Sequence, residues 1–377
     1  MPLWSVPANL LLAGEYAITR PGGVGVALAV APRATVRVFP GQTRESALSF
    51  RRAIHTAGIR ADGIRVDGFG PRKDRNRATP TPGSVPGLTV YTLMGRDRAY
   101  LEGGLLTTVL AEVACFIRDA GELPYGSRPV PLPPTEITID TSAFFDPATG
   151  KKRGLGSSAA ATVLLIAALL YLAGVDPLHN RNTLLGVAVR AHRRLQGGRG
   201  SGYDIACSTL GGAIRFVGGE IPRWERLNLI ERWEEQGVGL YLWNGDTPVS
   251  SARSVEAFDR IFPPGDKATA FLRASNAAVG SLARADTWDE QRDALRRCAI
   301  LSRKTGRSIG VPADLPRELR SDDLSWSAKA TGAGNEQALI IGIDQDISGR
   351  EDVRDAAAAG RIHRLSPERS GLREESP

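Results

Sequence analysis

The chain has 377 residues, of which 48 are basic and 41 acidic, giving a formal net charge of +7. A hydrophobic fraction of 42% and a charged fraction of 24% belong to a globular protein with a large buried core, and the length suits two domains. The basic residues are mostly scattered and lack an aromatic-interleaved basic motif, which argues against nucleic acid and fits a small anionic ligand. Cys115, Cys207 and Cys298 lie far apart without CxxC spacing, so a disulfide framework or zinc site is not expected and a reducing, cytoplasmic setting is. Glu15 breaks the Leu-rich run near the start, so no signal peptide is read.

In chain order, Leu10 to Ala13 reads as an apolar strand halted at Gly14-Glu15. Between Arg33 and Phe39, Ala34, Val36 and Val38 alternate inward with the period of a half-buried strand. Residues 58–86 read as loops around one short strand. Ala99 to Ala120 has helical spacing, and Glu136 to Asp140 alternates as a second strand. Helices are predicted over 157–174 and 181–196, with a short one from Tyr203. Ala213 to Val217 and Val238 to Trp243 read as strands, Ser250 to Gly306 as mainly helical, and Ala338 to Ile343 as a buried strand. After Gly360 a short strand, Arg361 to Leu365, precedes a polar end predicted to be disordered. Strands and helices mixed without regular alternation indicate an α+β architecture.

The most informative segment is Gly154-Leu155-Gly156-Ser157-Ser158-Ala159-Ala160-Ala161. Its glycines permit positive φ and close backbone approach, and its serines stand where a helix begins. A helix start with free N–H donors and a positive dipole end is an anion site, which points to a polyphosphate. Neither the Walker pattern nor the dinucleotide fingerprint matches. The apolar run from Ala159 to Val175 spans 17 residues, short for a bilayer and interrupted by Thr162 and Tyr171, so a buried core helix is expected and not a membrane span. Two further small-residue clusters follow: Gly200-Ser201-Gly202-Tyr203-Asp204, and Lys329-Ala330-Thr331-Gly332-Ala333-Gly334. By itself, Asp204 could be no more than a helix N-terminal aspartate stabilising its turn.

With Ala8-Asn9-Leu10-Leu11-Leu12-Ala13-Gly14-Glu15, these clusters form a four-part constellation that resembles the GHMP kinase superfamily (galactose, homoserine, mevalonate and phosphomevalonate kinases). The resemblance runs from residue 5 to about residue 345. Within the superfamily the chain is most similar to the phosphomevalonate kinases, through Ala191-His192, Gln196-Gly197, the 200–206 stretch and Gly211 to Phe216. It implies a two-domain GHMP kinase fold, with a ribosomal protein S5 domain 2-like N-terminal half (1–225) and a ferredoxin-like C-terminal half (226–377). It also implies an ATP- and Mg²⁺-dependent kinase that phosphorylates phosphomevalonate, or a related small anionic acceptor, in isoprenoid precursor supply. A hydroxyl acceptor such as mevalonate or a sugar, a decarboxylase, and a non-catalytic ligand-binding relative are the alternatives. Monomer and homodimer stay open.

The resemblance also implies roles for residues. Gly154, Leu155, Gly156, Ser157, Ser158 and Ala159, with Gly332, Ala333 and Gly334, would bind the nucleotide, Ser158 contacting Mg²⁺ and Ser157 capping the helix. Asp204 would be the base or orienting carboxylate. Lys151, Lys152, Arg153 and Arg199 are candidate charge clamps, Lys152 foremost as a catalytic cation. Asn9, Glu15, His192, Gln196, Arg199, Ser201, Gly202 and Tyr203 would face the substrate, while Lys329 is expected merely to flank its turn. Three positions depart from the family pattern. Asn9 stands where phosphomevalonate and mevalonate kinases carry lysine. Arg193 stands where mevalonate kinases carry a metal-ligating glutamate. Asn335-Glu336-Gln337 follows the third motif where small residues are usual.

Overall fold

The computed structural model describes residues 2–39, 88–93, 104–119, 135–147, 149–198, 200–245, 251–311, 313–315, 326–332 and 337–376. The expected loops and strand at 58–86 lie outside the described residues. Among those described, strands build two sheets. The first has seven strands centred on an antiparallel pair, β1 (Leu3–Ala13) and β2 (Val24–Val38). The second half of β2 pairs β4 (Thr135–Asp140), which carries β3 (Leu88–Leu93) outside it. The first half of β2 pairs β5 (Ala213–Val217), which carries β6 (Arg223–Leu227). Ala34, Val36 and Val38 are buried, as their alternation requires, whereas the run from Val24 to Val30 is buried throughout and shows no alternation.

Helices cover this sheet: α1 (Leu105–Asp119), α2 (Ser157–Leu172), α3 (Arg181–Leu195) and α4 (Tyr203–Leu210). α2 is central, touching the other three helices as well as β1, β2 and β4. From Thr162 to Leu170 every residue of it is buried, which explains an apolar run with no polar face. Among the described residues no helix is long and apolar enough to cross a membrane.

After α5 (Leu229–Glu235), the second sheet is antiparallel, in the order β10–β7–β9–β8: β7 (Val238–Asn244), β8 (Trp326–Ala330), β9 (Gln337–Ile343) and β10 (Ile362–Leu365). The helical stretch resolves into α6 (Ser251–Ile261), α7 (Asp266–Arg284) and α8 (Trp288–Ile309), α8 lying on β8. Short helices α9 (Asp344–Ser348) and α10 (Glu351–Ala358) lead into β10. The architecture is α+β, as expected. Leu240, Leu242, Leu339 and Ile341 of the second sheet belong to the same apolar cluster as the core of the first.

The chain end corrects an expectation. Instead of being disordered, residues 366–376 return to the first sheet, where β11 (Arg373–Glu374) pairs the edge of β1. Leu372 is buried, and Arg33 donates to Glu368 and to the Ser370 and Gly371 carbonyls. A polar composition does not reveal this order, because the partners of the segment are distant in sequence, Arg33 more than 330 residues away. A single cut at residue 225 therefore does not separate the sheets: it passes through β6, and the last strand rejoins the first sheet.

Candidate active site

α2 begins where the glycine motif ends. Gly154 and Gly156 have φ of +62° and +80°, a region that side-chain-bearing residues rarely adopt. Gly156 is itself the N-cap residue, and no side chain caps the first turn. This corrects the expectation for Ser157, which is already the first helical residue; only glycine fits the left-handed position before it. Ala159 is buried, while Ser158 is exposed at the helix mouth. The first-turn amides are thus presented as an anion site at the start of a rigid, 16-residue helix.

Two side chains hold this loop from behind. A Cβ on Gly156 would meet the Asn9 amide at 2.2 Å, and one on Gly154 would meet Gln337 at 2.4 Å. Asn9 is buried on β1; its side chain donates to Ser208 Oγ at 2.8 Å, and its backbone N–H donates to the carbonyl of the buried Leu155 at 3.1 Å. A polar neutral residue suits this closed seat, where a lysine ammonium would need a partner. Gln337 donates to the Arg153 carbonyl and to Asn244 Oδ1, so this departure from the family pattern buttresses the loop. Nothing in the local sequence signalled that role.

Across the helix mouth, Ser158, His192 and Asp204 come together. The His192 ring, 1% exposed, places Nε2 3.4 Å from Ser158 Oγ and Nδ1 3.7 Å from Asp204 Oδ2. Gln196, one turn on, is exposed and sets its amide nitrogen 3.4 Å from the same Nε2. Asp204 lies in the first turn of α4 with Oδ1 accepting from the Ile205 N–H, which leaves Oδ2 toward the site. His192, expected at the substrate, is instead enclosed beneath the junction of the two motifs.

The loop carrying Gly200 and Ser201 is fixed by Arg193. Its guanidinium donates to the carbonyls of Gly200, Ser201, Gly219 and Glu220 at 2.7–3.0 Å. The residue noted in the sequence only for a missing carboxylate is the staple of the loop that delivers Asp204. Ser201 is half-buried, and its Oγ accepts from the Tyr203 N–H at 3.4 Å. Gly202 caps α4 at φ +88° against Val189. Tyr203 is half-buried, its phenol pushed well above the ordinary range by desolvation and by Asp204.

The basic residues divide. Lys151 and Lys152 are exposed, and the Lys152 ammonium lies 6.0 Å from the centroid of the Phe145 ring, on the loop preceding Gly154. Arg153 is half-buried and sits 3.7 Å from Asp146. Among the described residues, the side chain set against the Asp204 carboxylate is His192, at 3.7 Å, and none of these cations. Arg199 lies outside the described residues.

Glu15 and Lys329 form a buried ion pair, the lysine donating also to the Ala330 carbonyl at 2.7 Å. This corrects the expectation that Lys329 merely flanks its turn, and it occupies Glu15 with holding the two sheets together. Next to it Tyr16 stacks on Phe258 of α6 with ring centroids 5.2 Å apart. Thr331 Oγ donates to the Leu11 carbonyl at 2.6 Å, and Gly332 is exposed at φ +71°. Ala333 and Gly334 lie outside the described residues.

Comparison with known proteins agrees with this geometry. Residues 113–212, which carry the glycine loop, His192, Arg193 and Asp204, match the family described as GHMP kinases N terminal domain. Over that segment the chain is similar to the GHMP kinase superfamily. It is 26% identical over 370 residues to a phosphomevalonate kinase of Streptomyces sp. (strain CL190), covering 91% of this chain and 90% of that one. Among solved structures, the Lin0012 protein of Listeria innocua superposes with a TM-score of 0.71 at 18% identity, over 100% of both chains. The phosphomevalonate kinase of Streptococcus pneumoniae, solved with phosphomevalonate and AMPPNP, gives 0.63 at 17% identity, also over 100% of both. The GHMP kinase fold thus accounts for the whole chain.

A divalent cation can be tested against the oxygens present. No group of three His, Cys, Asp or Glu gathers among the described residues, so no all-protein cage exists there. The Ser158 hydroxyl and the Asp204 carboxylate flank the helix mouth as hard donors, a set that suits Mg²⁺, which takes few protein ligands and fills its shell with phosphate oxygens and water.

Proposed function

We propose that this protein is a GHMP kinase that transfers the γ-phosphoryl group of ATP to phosphomevalonate or a related small anionic acceptor, with Mg²⁺ neutralising charge as the phosphoryl group moves. One observation carries the reading: an uncapped helix start at Gly156–Ser157 lies against the aspartate-bearing loop through a single buried histidine. The first-turn amides of α2 would hold the triphosphate, with Ser158 and Asp204 as the protein oxygens offered to the metal. In the transfer, an acceptor oxygen forms a bond to the γ-phosphorus as the bond to the bridging oxygen of ADP breaks. A phosphate monoester, with a second pKa near ~6, is already largely ionised at neutral pH, so such an acceptor requires no base. Asp204 then orients acceptor and metal, and Arg193 keeps its loop in place. The 26% identical phosphomevalonate kinase supports this acceptor class over free sugars.

An ADP-release screen against phosphomevalonate, mevalonate, homoserine and simple sugars tests the reading. Turnover is expected with phosphomevalonate, with Asp204→Asn lowering kcat only mildly. Turnover with mevalonate or a sugar alone, together with a loss of several orders of magnitude in Asp204→Asn, would establish a hydroxyl acceptor. No turnover combined with no Mg·ATP binding by calorimetry would make the chain a non-catalytic relative.

A further inference from the structure

His192 carries a buried polar atom that no other residue satisfies. Its Nδ1 is enclosed without a hydrogen-bond partner, while Nε2 faces two groups able to donate, the Ser158 hydroxyl and the Gln196 amide, each at 3.4 Å. A neutral imidazole has one donor and one acceptor nitrogen. Two groups able to donate at Nε2 favour that nitrogen as the acceptor, with the proton assigned to Nδ1. Asp204 Oδ2 lies 3.7 Å from Nδ1, a few tenths of an ångström beyond hydrogen-bond length. Catalytic hydrogen bonds of this kind are often long in the unliganded state and tighten on loading.

We infer that His192 is a positioning residue that ties the nucleotide loop to the acceptor loop, through a hydrogen-bond chain from Ser158 Oγ–H to Nε2 and from Nδ1–H to Asp204 Oδ2. The inference rests on the kinase reading for its catalytic meaning, and on geometry alone for the tautomer. Accepting the Ser158 proton turns the hydroxyl lone pairs outward, toward the helix mouth. Donating to Oδ2 fixes the carboxylate rotamer, whose other oxygen is already held by the Ile205 N–H. The two halves of the reaction are thereby aligned through one buried ring. Gln196 closes the exposed side of the ring.

Two measurements test this. The chain has four histidines, His55, His179, His192 and His363, so nitrogen-15 histidine labelling of the full protein, with a His192→Asn sample for assignment, resolves the state of each ring. The expected result is a His192 ring with its proton on Nδ1 and Nε2 accepting; a proton on Nε2 overturns the inference whether or not the enzyme turns over. The second measurement is kinetic. His192→Leu removes both contacts and is expected to lower kcat by about three- to tenfold, the size of a lost ordinary hydrogen bond, with little change in KM for ATP. His192→Asn keeps a donor at the Nδ1 position and His192→Gln keeps a polar group at the Nε2 position; each should recover part of the loss. In cycles with Ser158→Ala and Asp204→Asn the effects should fall short of additive. A leucine variant with wild-type kcat, or fully additive cycles, would show a packing role only. If the wild type itself turns over none of the acceptors, the kinase reading fails while the tautomer measurement still decides the link.

Discussion

Asn9 and Gly156 occupy one shared space: a single methyl on residue 156 would sit 2.2 Å from the Asn9 amide, which is committed to Ser208. The nucleotide loop therefore rests on a polar strut from the first strand. Gly156→Ala must overcome both that contact and a φ of +80°, and a backbone strain of about 1–3 kcal/mol is expected from the conformation alone. The measured outcome should be loss of Mg·ATP binding by calorimetry and a lowered Tm. An alanine variant binding nucleotide like wild type would show that the loop has another resting conformation.

Glu15 and Lys329 are both buried and bind each other across 314 residues of sequence. Removing one partner strands a buried charge, which costs about 3–5 kcal/mol. Lys329→Met is thus expected to destabilise the protein strongly in urea titration. The double variant Glu15→Gln/Lys329→Met removes both charges and should recover most of the loss. Equal stability of the single and double variants would contradict the pairing.

Arg193 satisfies four carbonyls that belong to two separate loops. Lysine cannot reproduce that planar fork, and methionine supplies no donor. Arg193→Lys and Arg193→Met are expected to lower kcat/KM for the acceptor by about tenfold or more, since loss of even one such bond has that scale. KM for ATP should change little, because the nucleotide loop is braced by Asn9 and Gln337 instead. Steady-state kinetics with each substrate varied in turn would reveal a uniform loss, which would place the arginine in general stability and not in acceptor positioning.

Stability should fall at alkaline pH. Burial pushes the Tyr16 phenol up to about 12 and the Cys298 thiol up to about 12. In the unfolded chain such groups ionise near ~10 and ~8.5. The unfolded state therefore releases protons first as pH rises, so the contribution is complete below about pH 8.5 and disappears progressively toward about 12. Thermal unfolding across that range should show a declining Tm, with a shallower decline in Cys298→Ala. A Tm independent of pH there would mean that both groups ionise in the folded protein as freely as in solvent.

The legible parts of the site were those that local chain geometry requires. Gly154 and Gly156 announced a positive-φ turn, the small and apolar residues after them announced a buried helix, and Asp204 stood at a second helix start. The illegible parts were the contacts between distant segments. Gln337 looked like an intruder in a small-residue motif and proved to brace Gly154. Lys329 looked like a turn flank and proved to be half of a buried ion pair. Arg193 was noticed only for the charge it lacks, because its partners are backbone carbonyls, which leave no trace in residue identity.

By itself, then, the sequence determined the α+β class, the order of most elements, and the presence of a glycine-led helix start at Ser157, since each depends on neighbours within one turn or one strand. Tertiary structure alone decided the seating of His192 between Ser158 and Asp204, the burial of Glu15 with Lys329, and the return of residues 366–376 to the first sheet. Those outcomes follow from desolvation and packing between segments far apart in the chain. A buried polar side chain takes whichever partner the completed fold brings within reach.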